Sequence, residues 1–294
     1  MMDPVAIERM DDPRVAEYRD VRDADLRGGG GLAPRGTSNR LFMAESEMVI
    51  RRLLESRRFR VKSMLLSPEQ FRSLRSAIES AWSQAHAVPP VYVAPEPMMR
   101  AIAGYRHHGG ALAAAWRPSP GEVDPARTLE QLSEKPRCTL LLVEGVTNKD
   151  NIGAIFRNAA AFGADGVILD DACADPLFRL SIRVSMGHVF NVPWAIASDW
   201  RGLLAELPSS WKFDLLAAET IAEAQPIEQL PRGGRVAIVL GAERHGVRAD
   251  TLARCAGTYA IPMAPGVPSI NVATAAAVFL YERSKGMRQA ASPG

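Results

Sequence analysis

The chain has little cysteine. Its three thiols, Cys138, Cys173 and Cys255, lie far apart in 294 residues. An odd count without a C-x-x-C pair argues against a disulfide framework and the common zinc spacings. The expected compartment is a reducing cytoplasm. No apolar run approaches the ~20 residues of a membrane span. The early acids Asp3, Glu8, Asp11 and Asp12 do not fit a signal peptide. Charge of one sign is also scarce: the net charge of +2 is too small to identify a nucleic-acid partner by itself. Several site motifs are missing. No G-x-G-x-x-G follows a strand and no G-x-x-x-x-G-K-[ST] occurs, so neither a dinucleotide fingerprint nor a P-loop is supported. There is no G-x-S-x-G elbow. There is no H-E-x-x-H either, and the pair His107–His108 reads as surface rather than metal site. Neither a metal nor a membrane is expected.

What is present is alternation of helix and strand. The first forty residues, with glycines at 28 to 31, read as a mobile lead or hairpin. A helix is expected over Leu41 to Leu54 from its 3.6-residue spacing. Strands follow at Val61–Leu66, Val91–Ala94 and Ala111–Trp116, with helices at Phe71–Trp82 and Glu96–Gly104. This is a small α/β domain over residues 1–117. Prolines at 118, 120, 125 and 136 predict a stiff linker over 118–136 without regular structure. A second domain, 137–294, holds strands at Cys138–Val143, Gly166–Leu169, Pro193–Ala197, Phe213–Ala218, Arg235–Leu240 and Thr258–Ile261. Its helices are Asn151–Phe162, Trp200–Leu207, Thr251–Ala256 and Asn271–Lys285. Short apolar strands between helices predict a parallel sheet covered on both faces.

Ligands in such a sheet sit beyond the carboxyl ends of the strands. Three loops leave strands there. Glu144 to Gly153 runs into a helix that Asp150 or Asn151 would cap. Arg157 falls outside that helix's buried stripe of Ile152, Ile155, Phe156 and Ala159. Gly241-Ala242-Glu243-Arg244-His245-Gly246 follows an apolar strand, with two glycines that permit close backbone approach. Ile261 to Asn271 contains three prolines and a glycine, and Ser269 or Asn271 would cap the last helix.

Together these loops resemble the three signature motifs of the SpoU/TrmH family of RNA ribose methyltransferases. Asn151, Gly153 and Arg157 match N-x-G-x-x-x-R. Leu240, Gly241, Glu243 and Gly246 match L-G-x-E-x-x-G. Ile261-Pro262-Met263 and Ser269-Ile270-Asn271-Val272 match I-P-M and S-L-N-V, all in order over residues 138–285. Val184 to Pro193 also looks like a family segment. Lys149 stands where the family often has proline, and Ile270 where it has leucine.

The resemblance implies a trefoil-knotted α/β domain and a homodimer with the active site near the subunit interface. It implies S-adenosylmethionine as cofactor, held at Leu240, Gly241, Gly246, Ile261, Met263 and Ile270. It places Asn151, Arg157, Glu243, Ser269 and Asn271 around a ribose 2′-oxygen that attacks the methyl carbon. A guanidinium is a standing cation at neutral pH, so Arg157 is expected to stabilise the developing alkoxide rather than take its proton. Phe42 to Ser46 resembles the family's substrate-binding module, with ribosomal RNA expected before transfer RNA. Eight basic residues face two acids between Arg51 and Arg75. Of these, Arg51, Arg52, Arg57, Arg58, Arg60 and Lys62 are the expected RNA contacts. Two other readings stand beside this one: methyl transfer to a base, and a non-catalytic RNA-binding protein on the same fold.

Overall fold

The computed structural model describes residues 3–19, 41–82, 88–104 and 109–290. The glycine run at 28 to 31 and the pair His107–His108 lie outside the described residues. The chain divides into two compact units. One is Met1–Pro118 with Leu177–Asn191, the other Ser119–Pro176 with Val192–Gly294. The inserted segment Leu177–Asn191 comes from the stretch read in sequence as part of the second domain. It contains a short helix (Arg179–Val184) that apolar periodicity did not reveal.

The first unit is a five-stranded mixed sheet. Its strands are β1 (Val5–Ala6), β2 (Leu41–Glu45), β3 (Val61–Leu66), β4 (Val91–Val93) and β5 (Ala111–Trp116), in the order β1-β4-β3-β5-β2. Helices α1 (Glu47–Ser56), α2 (Pro68–Trp82) and α3 (Glu96–Ala103) connect them. The single helix expected over 41 to 54 is instead a strand followed by a helix. Leu41, Phe42, Met43 and Ala44 are all buried, so no helical stripe exists there. Ser46, at φ 80°, turns the chain before α1 begins. The leading residues are also built in: Val15 and Tyr18 are buried, and the Tyr18 hydroxyl lies 2.6 Å from Ser63 Oγ.

The expected linker is another correction. Pro120 opens a 3-10 turn (Pro120–Val123) and Pro125 opens helix α4 (Pro125–Glu130). Proline suits a first helical turn, where its missing N–H would have no partner anyway. Asp124 caps α4 by accepting from Ala126 N at 2.8 Å. Leu129 and Leu132 belong to the second unit's core.

The second unit is a seven-stranded sheet. It comprises β6 (Cys138–Val143), β7 (Gly166–Asp170), β8 (Trp194–Ala197), β9 (Asp214–Ala218), β10 (Gln225–Pro226), β11 (Arg235–Leu240) and β12 (Gly257–Ala260). The order is β10-β12-β9-β11-β6-β7-β8, and every pair is parallel. β6 and β11 are central and almost wholly buried, as their unbroken apolar sequences require. Helices α6 (Arg179–Val184, in the first unit), α5 (Lys149–Phe162), α7 (Trp200–Ser209), α8 (Ala249–Leu252) and α9 (Val272–Ala290) complete the list. α8 is shorter than the helix expected over 251 to 256.

A buried cation fastens α9 to the sheet. Arg283, 2% exposed, donates to the carbonyls of Pro231, Gly233, Gly234 and Cys138 and to Thr139 Oγ1. Burial pushes its guanidinium down to about 10, so it stays charged at neutral pH. Among the described residues, no helix is long and apolar enough to cross a membrane.

Candidate active site

Because the strands of the second sheet are parallel, the loops after β6, β9, β11 and β12 share one edge. β11 lies between β6 and β9. Strand order therefore reverses beside β6, the place where such sheets hold ligands.

The loop after β6 is fixed by buried carboxylates. Glu144, 2% exposed, accepts from Trp200 Nε1 at 2.8 Å, Thr251 Oγ1 at 2.5 Å and Arg248 N at 2.6 Å. Asp170 accepts from Gly145 N at 3.0 Å. Arg248 reaches both, at 3.3 Å each. A buried carboxylate is tolerated when its lone pairs are filled in this way.

Asn148, not Asp150 or Asn151, caps α5. Its Oδ1 accepts from Asp150 N at 2.8 Å and Asn151 N at 3.3 Å. Asn151 is thereby free to turn inward. Its Oδ1 accepts from Asn271 Nδ2 at 2.9 Å, while its own buried Nδ2 has no partner. Asn271 in turn caps α9, accepting from Ala273 N at 2.9 Å. Asn158 Nδ2 donates to Ala273 O at 2.7 Å. These bonds bring the first and third loops together.

The second and third loops form the walls of a pocket of 330 Å³, within the usual range for small-molecule sites. Leu240, Gly241, Gly246, Ile261, Met263 and Ile270 all line it, as do Glu243 and Ser269. The two glycines are sterically required. A Cβ on Gly241 would lie 2.1 Å from the Gly246 carbonyl carbon. One on Gly246, at φ +64°, would lie 2.1 Å from Glu219 Oε2.

Glu219, Arg244 and His245 line the pocket too and were absent from the site expected from sequence. Glu219 follows β9, outside all three motifs, so no motif could flag it. Its carboxylate accepts from Val247 N at 2.8 Å and so braces the second loop. Asn151 and Asn271 do not line the pocket. Nor does Arg157, which is exposed on α5.

The six expected RNA contacts divide. Arg51 is engaged by Glu47 at 2.8 Å and by the Ser73 carbonyl at 2.7 Å. Arg52 donates to the Met186 carbonyl, and Lys62 pairs with Glu17 at 2.6 Å. Arg58 lies over Phe59 at 5.5 Å and Arg60 over Trp116 at 5.2 Å. Arg57 ends α1 in the left-handed region.

No thiol is positioned as a nucleophile. Burial pushes Cys138 up to about 12 and Cys255 up to about 11, and raises Cys173 as well. All three are protonated at neutral pH and slow to react. The native protein should therefore resist a thiol reagent at pH 7.5 and release three equivalents only after unfolding. Rapid labelling of the native protein would contradict this. Among the described residues, no group of three His, Cys, Asp or Glu side chains could hold a metal ion.

The SpoU rRNA Methylase family model matches residues 139–281. An uncharacterised tRNA/rRNA methyltransferase of Mycobacterium tuberculosis is 35% identical over 94% of this chain and 90% of its own. A 23S rRNA (guanosine-2′-O-)-methyltransferase of Acinetobacter baylyi is 33% identical over 62% of this chain and 72% of its own. The AdoMet-bound rRNA methyltransferase of Sinorhizobium meliloti superposes with a TM-score of 0.75 at 21% identity, covering 98% of both chains, a likeness of fold. The parallel-sheet domain with its three loops is a methyltransferase domain. The chain belongs to the SpoU rRNA methylase family.

Proposed function

We propose that the second unit transfers a methyl group from S-adenosylmethionine to a ribose 2′-hydroxyl of RNA, with ribosomal RNA the substrate. The observation that carries this is the convergence of the three motif loops on one sheet edge, with the cofactor set lining one pocket. The name of the Acinetobacter baylyi relative supports both the 2′-oxygen and ribosomal RNA.

The pocket suits the cofactor chemically. Leu240, Ile261, Met263 and Ile270 supply apolar walls for an adenine. The carboxylates of Glu219 and Glu243 line the same space and favour a cationic ligand. The cofactor, when bound, supplies a methyl group activated on a sulfonium. The residues of the chain then have separable tasks. Asn151 and Asn271 hold the first and third loops in register through their shared hydrogen bond. Glu219 holds the second loop. A cationic Arg157 stabilises the negative charge that grows on the ribose oxygen, and binds an adjacent phosphate. Alignment for in-line displacement supplies much of the remaining rate.

Arg157 is exposed and outside the pocket of its own chain. We take the working enzyme as a homodimer in which Arg157 of one protomer completes the pocket of its partner. Apolar surface is available for such pairing: Val267, Ile270 and Tyr281 are 46%, 38% and 43% exposed. The first unit is assigned to RNA recognition.

Glu219→Ala should weaken S-adenosylmethionine binding about ten- to a hundredfold, because a charged hydrogen-bond acceptor contributes on the order of 1.5–3 kcal/mol. Calorimetric titration checks this; unchanged affinity would remove Glu219 from the site. The activity itself is tested by release of S-adenosylhomocysteine in proportion to methyl incorporated into RNA. A protein that neither binds the cofactor nor transfers methyl would leave only an RNA-binding role.

A further inference from the structure

The first unit has an open cleft of 600 Å³, walled by α1, β3, β5 and the end of α2. Its lining combines two chemistries. Arg57 and Arg60 bring two cations and Lys62 a third that Glu17 already pairs at 2.6 Å, and among the described residues no carboxylate lines the space. Trp82, Val88 and Trp116 bring apolar and aromatic surface, with Val88 59% exposed. The two chemistries interleave. Arg60 lies 5.2 Å and Lys62 5.7 Å from the centre of the Trp116 ring. Cations alternating with aromatic faces are what a single-stranded nucleic acid requires: bases stack while phosphates are neutralised. A protein partner docking on apolar surface alone would not need Arg57 and Arg60 in the same wall.

We infer that this cleft is a binding site for an unpaired RNA nucleotide, its base against Trp116 and its phosphate against Arg57 and Arg60. The inference rests on the RNA-methylating reading above and narrows it to a class of substrate. The methylated RNA would present a single-stranded or splayed nucleotide to the first unit, and the second unit would act on a ribose of the same RNA. Duplex RNA hides its base faces in the stack and could not occupy the cleft in this way.

The test uses the full chain and a fluorescent mixed-sequence heptanucleotide RNA, single-stranded or annealed to its complement. Affinity is read by anisotropy over a range of salt. Single-stranded RNA should bind more tightly than duplex. Trp116→Ala should weaken single-strand binding by about five- to a hundredfold, the usual effect of losing one base–aromatic stack. Trp116→Phe, which keeps a ring, should retain most of the affinity. Arg60→Gln should lower the slope of log K against log salt by about 0.7, one phosphate's share for a single strand. S-adenosylmethionine affinity, measured on every variant, reports that the second unit remains folded. If Trp116→Ala binds the single strand as the parent does, or if the parent prefers duplex, the cleft is not a base site. It would then fall to a protein partner or to none, while intact methyl transfer to RNA would leave the proposed function standing. Absence of any methyl transfer to RNA would overturn that function and this inference together.

Discussion

Replacing Arg157 by alanine should lower methyl transfer at least about a hundredfold, the usual loss when a stabiliser of developing charge is removed. Cofactor affinity should stay within about twofold, since an interaction made only in the transition state costs kcat rather than binding. The structure motivates this separation. Arg157 lies on the exposed face of α5, away from the pocket lining. A mixing experiment then locates its action. Gly241→Val, whose side chain would collide with the Gly246 backbone, disables the pocket but keeps Arg157. Neither variant is active alone. Mixed dimers should recover about a quarter of parental activity, since half are heterodimers and each has one complete site. No recovery, with heterodimers demonstrated, would place Arg157 and the pocket in the same protomer. Near-normal turnover by Arg157→Ala would remove both of its assigned roles.

The second large effect concerns stability. Arg283→Met should cost about 2–4 kcal/mol, because it removes several hydrogen bonds from one charged donor at once. The carbonyls of Pro231 and Gly233 and the hydroxyl of Thr139 would lose the guanidinium as donor, while the Gly234 carbonyl would keep only the Cys138 N–H. For a unit of this size, a Tm lower by about 10 °C follows. Arg283→Lys should rescue little, since one ammonium cannot reproduce the planar fork. A melting temperature unchanged in calorimetry would mean that α9 is held by its apolar contacts alone.

How far the molecule was legible in its sequence depends on where each cause lies. The strands Cys138–Val143 and Arg235–Leu240 were legible to the residue, because burial on both faces leaves an unbroken apolar run. The strand Leu41–Glu45 was mistaken for helix. Its apolar residues merge with those of α1, and the break at Ser46 is a backbone angle without a glycine or proline to mark it. Proline misled in the other direction at 120 and 125, where it begins helical turns that a composition argument reads as linker. The pocket walls over 240–246 and 261–270 were legible as loops at the sheet edge because their residues are contiguous in sequence. Glu219 was not, since it reaches the second loop from another strand. Glu144 and Arg283 look like ordinary surface charges in sequence. Their burial is made tolerable by partners far along the chain, such as Thr251 and Thr139. The basic run likewise gave no sign that Arg51 and Arg52 are spent on Glu47 and the Met186 carbonyl.

The most direct measurement is the identity of the methylated nucleoside. The purified protein is incubated with labelled S-adenosylmethionine and total RNA from cells lacking its gene. The RNA is separated by size, digested and chromatographed. Label in ribosomal RNA, recovered as a 2′-O-methylnucleoside, is the expected result. Label on a base would contradict the assignment of the ribose oxygen as nucleophile, and label confined to transfer RNA would contradict the substrate.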